Sequence, residues 1–178
     1  MSVNFTIRDA QSKDISAIEN LIEAGYRKDE ARLGWTHETD ILSGDRLSDG
    51  EIAKTLEDKN SKMFVAIDSD HHQIIGVICV TKDNDWIEFG KFSVRPNLQG
   101  SGIGRKLIAH VENFVSEIWG EKKLKLSVIS KRTELVDFYL RCGFKDTGQR
   151  IDFVKVHPYV ILKDGVDSLE VIIMEKPV

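Results

Sequence analysis

The sequence predicts a mixed α/β fold, an α+β arrangement in which hairpin strands and crossover helices share one sheet. Three observations predict it. A β-rich hairpin pattern occupies Met63 to Thr81, a glycine turn at Gln99 to Gly104 joins a strand pattern to the clearest amphipathic helix, and strand and helix patterns alternate afterwards. The order is β-α-α-β-β-β-α-β-α-β-β, which mixes hairpins with crossovers.

Val3 to Arg8 alternates apolar and polar residues as a strand does, and Asp9 to Asp14 supplies turn and capping residues. Ile15, Ile18, Leu21 and Ile22 then share one helical face, with Gly25 as a stop. From Asp29 to Glu51 the periodicity disappears. This stretch holds Gly34, Gly44 and Gly50 and the acids Asp29, Glu30, Glu38, Asp40, Asp45, Asp49 and Glu51, and reads as a long loop running into a helix from Glu51 to about Asp58.

Met63 to Ile67 and Ile74 to Thr81 form an antiparallel hairpin across Asp68-Ser69-Asp70-His71-His72-Gln73, and Trp86 to Val94 adds a further strand. After the glycine turn, Ile103, Leu107, Ile108, Val111, Phe114, Val115 and Ile118 make the apolar stripe of a long helix. Lys123 to Ile129 alternates as a strand. Leu135, Phe138, Tyr139 and Cys142 lie along a short helix stopped by Gly143, and strands around Phe153 to Val156 and Leu169 to Glu175 close the chain.

A chain of 178 residues with 41% apolar content builds one soluble domain with a full core, so residues 1–178 are expected to be a single domain. A formal net charge of -4 lacks the positive field that nucleic acids or anionic membranes require, and neither is an expected partner. Cys79 and Cys142 have no metal or disulfide spacing, and the start Met1 to Asp9 has no basic-then-apolar leader pattern. A soluble cytoplasmic protein with free thiols is expected. His37, His71, His72, His110 and His157 are dispersed, so no metal site is expected.

The glycine turn carries the chemistry. A turn entering a helix N-terminus presents unpaired N–H groups and the positive end of the helix dipole, which together suit a phosphate. Gly100, Gly102 and Gly104 let backbone approach an anion closely. A P-loop needs Lys and then Ser or Thr after its last glycine, whereas Arg105-Lys106-Leu107 follows here. The dinucleotide fingerprint needs a third glycine where Leu107 stands.

The remaining pattern, Gln99, Gly102 and Gly104 at the end of a strand, resembles the acetyl-CoA loop of the GNAT superfamily of N-acetyltransferases. Phe92-Ser93-Val94-Arg95-Pro96 is similar to that family's pantetheine-holding strand end, and Asp137 to Phe144 to its second signature. The opening Ile7-Arg8-x-Ala10-x-x-x-Asp14-Ile15 also fits. Ser130 to Leu135 together with Gly34-Trp35-Thr36-His37-Glu38 looks like a microbial and fungal subgroup of poorly defined substrate.

The resemblance implies a mostly antiparallel twisted sheet of about six to seven strands, flanked by about four helices and splayed between the strands at Trp86 to Val94 and Lys123 to Ile129. It implies acetyl-CoA as co-substrate, held by Phe92, Ser93, Val94, Gln99, Gly100, Ser101, Gly102, Ile103, Gly104 and Arg105. Arg132 and Leu135 replace the family's frequent Asn and Ala, and the arginine is expected to contact the cofactor, through its phosphates.

Acetyl transfer needs an unprotonated amine, which for a lysine-like group costs about 4 to 5 kcal/mol at neutral pH. The resemblance puts Glu88 at the position of the catalytic glutamate of the family's histone-lysine acetyltransferases, with a water chain as the alternative base, and Tyr139 at that of its thiolate-protonating tyrosine. Gly90 suggests a bulge that opens the slot and frees N–H groups near Phe92 for the thioester oxygen.

Trp35 reads as a lid over the acceptor site or as a hydrophobic plug. The loop's acids either favour a cationic amine or are simply solvated. With no His placed to activate Cys142, direct attack in a ternary complex is expected on a small-molecule or peptide amine, by a monomer or homodimer. Left open are a non-catalytic acyl-CoA-binding module with a regulatory role, a longer acyl donor, and a protein N-terminus as acceptor.

Overall fold

The computed structural model describes residues 3–178; Met1 and Ser2, which begin the segment read for a leader, lie outside them. In chain order the elements are β1 (Phe5–Asp9), α1 (Ile15–Tyr26), β2 (Leu42–Ser43), α2 (Glu51–Glu57), β3 (Ser61–Asp68), β4 (Ile74–Asp83) and β5 (Trp86–Val94). Then come α3 (Ile103–Glu117), β6 (Lys123–Ile129), α4 (Thr133–Arg141), β7 (Lys145–Asp152), α5 (Phe153–Val156), β8 (Ile161–Leu162) and β9 (Glu170–Pro177).

Seven strands form one sheet in the order β1-β3-β4-β5-β6-β9-β7, and β2 pairs with β8 in a small separate sheet. Every neighbouring pair in the large sheet is antiparallel except the central β5 and β6. Those two share a single paired position, Glu88 opposite Lys125, and diverge beyond it. The expected splay is therefore a fork whose crotch is marked by Glu88.

Alternation along the strands divides the apolar residues between two faces. Phe64, Ile78, Val80, Phe89 and Leu126 pack beneath α3 and α4 against Leu107, Val111, Val115 and Tyr139. On the opposite face Val65, Val77 and Cys79 meet Ile18, Leu21 and Ile22 of α1 and Ile52 of α2. Further along that face Ile129, Val171 and Ile173 are covered by Leu42, Leu162 and Phe153, with Trp86 at the border. No helix among the described residues is long and apolar enough to cross a membrane.

Phe153 to Val156, expected as a strand, is the short helix α5. The Asp152 carboxylate accepts hydrogen bonds from the Val154 and Lys155 N–H groups at 3.1 and 3.3 Å, which caps a helical turn and ends the strand. The partner of β9 is instead β7, a polar edge strand exposed over nearly its whole length. Ile118 lies past the end of α3 and is largely exposed, so the apolar stripe stops at Val115. The bulge falls one residue after Gly90: Lys91 takes the left-handed conformation, with φ 45°, and the register against β4 slips between Val77 and Cys79.

Candidate active site

A cleft of about 310 Å³ opens where the fork meets the N-terminus of α3. Phe92, Ser93, Val94, Gln99, Gly100, Gly102, Ile103, Gly104, Arg105, Arg132 and Tyr139, all singled out in the sequence, line it together. Ser101 does not, because its hydroxyl turns back onto the Leu98 carbonyl at 2.6 Å. Tyr26, Trp35, Thr36, Leu98, Leu135 and Phe138 complete the wall, with Arg141 alongside them.

Gly100 and Gly102 hold φ of 85° and 89°, a left-handed conformation that favours glycine, and a Cβ on either would meet nothing within 4 Å. Gly102 is the N-cap of α3 and no side chain caps that helix, so its first N–H groups face the cleft without a protein acceptor. Arg105, Arg141 and the Glu38-paired Arg132 line the cleft, and among the described residues no carboxylate does. A chain of net charge -4 thus concentrates positive charge where a polyphosphate would lie. The cradle and its charge fit coenzyme A.

Gln99 and Arg132 are engaged in another way. The Gln99 amide donates to Thr36 Oγ1 at 2.8 Å and to the Val94 carbonyl at 3.2 Å, while its Oε1 accepts the Trp35 N–H at 2.9 Å. Arg132 donates to the Thr36 carbonyl and, at 2.9 Å, to Glu38, which is 6% exposed and also pairs with Arg27 at 3.1 Å. Together these residues strap Gly34 to Glu38 over the cleft. The Trp35 ring meets Phe138 edge-on with centroids 5.6 Å apart, as a plug set against the wall that remains 40% exposed.

At the bulge the Tyr26 hydroxyl donates to the Phe92 carbonyl at 2.7 Å, taking over a main-chain acceptor that the slipped ladder no longer serves. The Ser93 hydroxyl donates to the Leu21 carbonyl at 3.3 Å. The Phe92 ring stands against Gly104, where a Cβ would come within 3.1 Å of it. This contact explains the third glycine of the turn as a packing requirement.

Tyr139 is 6% exposed, meets Phe89 edge-on with centroids 5.8 Å apart, and makes no hydrogen bond to another described residue. Burial pushes its hydroxyl well above the ordinary tyrosine value, so it stays protonated at neutral pH. Glu88 does not line the cleft. Its side chain leaves β5 on the face opposite Phe89 and accepts hydrogen bonds from Ser127 Oγ across the fork and from Trp86 Nε1 at 2.7 Å.

Of the loop acids, Glu38 is neutralised by two arginines, Asp40 by Arg32 at 3.0 Å and Glu51 by Lys91 at 3.2 Å. These three acids are committed to partners within the protein, whereas Asp45 and Asp49 are exposed. Tyr26 carries the largest role missed in the sequence. It ends a helix in an unremarkable Gly-Tyr-Arg run, and its use is apparent only once β5 is bulged beside it.

A forked mixed sheet with a glycine turn feeding the helix after its central strand is the architecture of the GNAT acetyltransferases. The chain belongs to that family: a family model described as an acetyltransferase (GNAT) domain matches residues 36–161. Streptothricin acetyltransferase of Streptomyces lavendulae is 32% identical over 110 residues, 61% of this chain, and the match spans 57% of that relative's length.

Among solved structures, the spermidine N-acetyltransferase of Vibrio cholerae in complex with CoA and spermine superposes with a TM-score of 0.69 at 20% identity, covering 97% of this chain and 95% of that one. The ribosomal-protein-S18-alanine N-acetyltransferase of Escherichia coli does so with a TM-score of 0.70 at 18% identity, covering 98% and 94%. At these identities the likeness is one of fold.

Proposed function

We propose that the chain transfers an acetyl group from acetyl-CoA to a primary amine of a small molecule or peptide, by direct attack within a ternary complex. The carrying observation is the placement of Glu88 and Tyr139 on opposite faces of the sheet at the one gap between β5 and β6. Acetyl-CoA supplies the activated acyl group as a thioester. Gly100, Gly102 and the first turn of α3 hold its pyrophosphate, and the bulged segment around Phe92 orients its acyl end.

An amine entering from the Glu88 face meets a carboxylate held in place by Ser127 and Trp86, the group that takes its proton. On the other face the protonated Tyr139 donates a hydrogen bond to the departing thiolate. Acid and base are thus separated by the sheet itself, and neither neutralises the other. The free thiols Cys79, buried, and Cys142, half-buried, are in keeping with a reducing cytoplasmic setting.

Thiol release from acetyl-CoA across a panel of amines, amino acids and peptides tests this reading. Glu88→Gln and Tyr139→Phe are each expected to lower kcat about a hundredfold or more, with acetyl-CoA affinity little changed. Unchanged pH-rate profiles in both variants would remove the two roles. Tight acetyl-CoA binding without release for any acceptor would leave a binding module in place of an enzyme.

A further inference from the structure

Three guanidiniums, those of Arg27, Arg46 and Arg132, gather around the inner end of α1 with one buried carboxylate, Glu38, among them. Glu38 binds Arg27 and Arg132, whereas the half-buried Arg46 guanidinium has no carboxylate partner among the described residues. It stands over the Tyr26 ring with Cζ 5.5 Å from the centroid, and that ring's hydroxyl holds the Phe92 carbonyl at the bulge.

Arg46 does not line the cofactor cleft, which has Arg105 and Arg141 for phosphates. It belongs instead to the loop whose strand β2 pairs with β8 and covers the Glu88 face of the sheet. The backbone behind it is fixed, since Glu23 accepts the N–H groups of Arg46 and Leu47, each at 2.8 Å. His157, on the segment carrying β8, is held below its ordinary pKa by burial and by the Arg46 charge, so at neutral pH it adds no competing cation.

We propose that Arg46 receives a carboxylate of the acceptor, so that the amine acetylated is one that also carries a carboxylate, as in an amino acid or short peptide. This deepens the transferase reading and rests on it. A guanidinium set over an aromatic ring whose hydroxyl holds the bulge at Phe92, and without an ion-pair partner among the described residues, suits a planar bidentate carboxylate. The positive charge of Arg46 would instead repel the further ammonium groups of a polyamine, which brings no carboxylate to meet it.

The test measures kcat/KM for matched acceptors: lysine against lysinamide, glycyl-lysine against glycyl-lysinamide, and spermidine. The carboxylate-bearing member of each pair is expected to be favoured roughly ten- to hundredfold in the wild-type chain. Arg46→Leu is expected to bring that ratio near one and Arg46→Lys to restore part of it, with acetyl-CoA affinity as the control for folding.

A preference for spermidine, equal rates within each wild-type pair, or a ratio that survives Arg46→Leu would overturn the proposal, and the first two need no variant. A preference for lysine but not for glycyl-lysine marks a free amino acid as the acceptor; the reverse marks a peptide. Absence of release with every acceptor fails the transferase reading itself, an outcome distinct from release without discrimination.

Discussion

Removing the Glu38 carboxylate tests whether the strap over the cleft is held by charge. Glu38→Ala leaves the Arg27 and Arg132 guanidiniums, whose side chains are 8% and 9% exposed, without their shared anion. Stripping one partner from a buried ion pair costs about 3 to 5 kcal/mol. In a domain whose whole stability is on the order of 5 to 15 kcal/mol, that is a large share. At about 2 to 4 °C per kcal/mol for a chain of this size, Tm is expected to fall by roughly 6 to 20 °C. Differential scanning calorimetry measures it, with Asp40→Ala as the control. The Asp40 bond to Arg32 joins side chains 62% and 57% exposed and is worth no more than about 1 kcal/mol. A Glu38→Ala shift no larger than that of the control would refute the reasoning. Loss of Tm together with weakened acetyl-CoA binding would show that the strap also shapes the cleft.

A Cβ at Gly25 would lie 2.2 Å from Ser93 Oγ, so Gly25→Ala is expected to cost about 1 to 3 kcal/mol. Adding Ser93→Ala removes the clashing atom and should recover part of that loss in a denaturant double-mutant cycle; strictly additive effects would show that the two sites do not touch. Asp14 is held below the ordinary carboxylate range chiefly by its hydrogen bonds to Arg8, at 2.7 and 2.9 Å. Because the folded-state pKa is the lower one, the stabilisation is complete above the unfolded value near pH 4 and is lost as pH falls through the folded value. Asp14→Asn should therefore flatten the acid limb of the stability profile below about pH 4 and leave its shape at pH 7 to 8 unchanged, as followed by circular dichroism.

The parts legible in the sequence share one physical character: the signal is local. The stripe of α3, the hairpin of β3 and β4, and the glycine turn each declare themselves within about a dozen residues, because burial or backbone geometry dictates residue type directly. β7 does not. Its Lys-Asp-Thr-Gly-Gln-Arg run lies at an exposed edge and buries almost nothing, so no alternation is written into it, while the apolar Phe153 beside it mimics a strand residue although Asp152 caps it into a helix.

The cleft was legible in the same uneven way. The turn glycines are demanded by the local chain path. The duties of Gln99 and Arg132 are set by contacts 63 and 96 residues away, and those of Tyr26 by a bond spanning 66, distances over which a sequence pattern carries no geometry. The bulge fell on Lys91 although Gly90 looked the easier place; Lys91 also reaches Glu51 on α2, a partner no local rule reveals.

The amide of Gln99 joins two regions that ought to change at different rates. The turn it begins frames the cradle that fits coenzyme A, whereas Gly34 to Glu38 is a loop segment strapped over the same cleft. Since Gln99 binds Trp35 through main chain and Thr36 through a hydroxyl, the strap tolerates a new ring at Trp35 but not a shift in length. Substitution of the Trp35 ring is thus compatible with the strap, while insertions or deletions there would unseat the cradle that Gln99 begins.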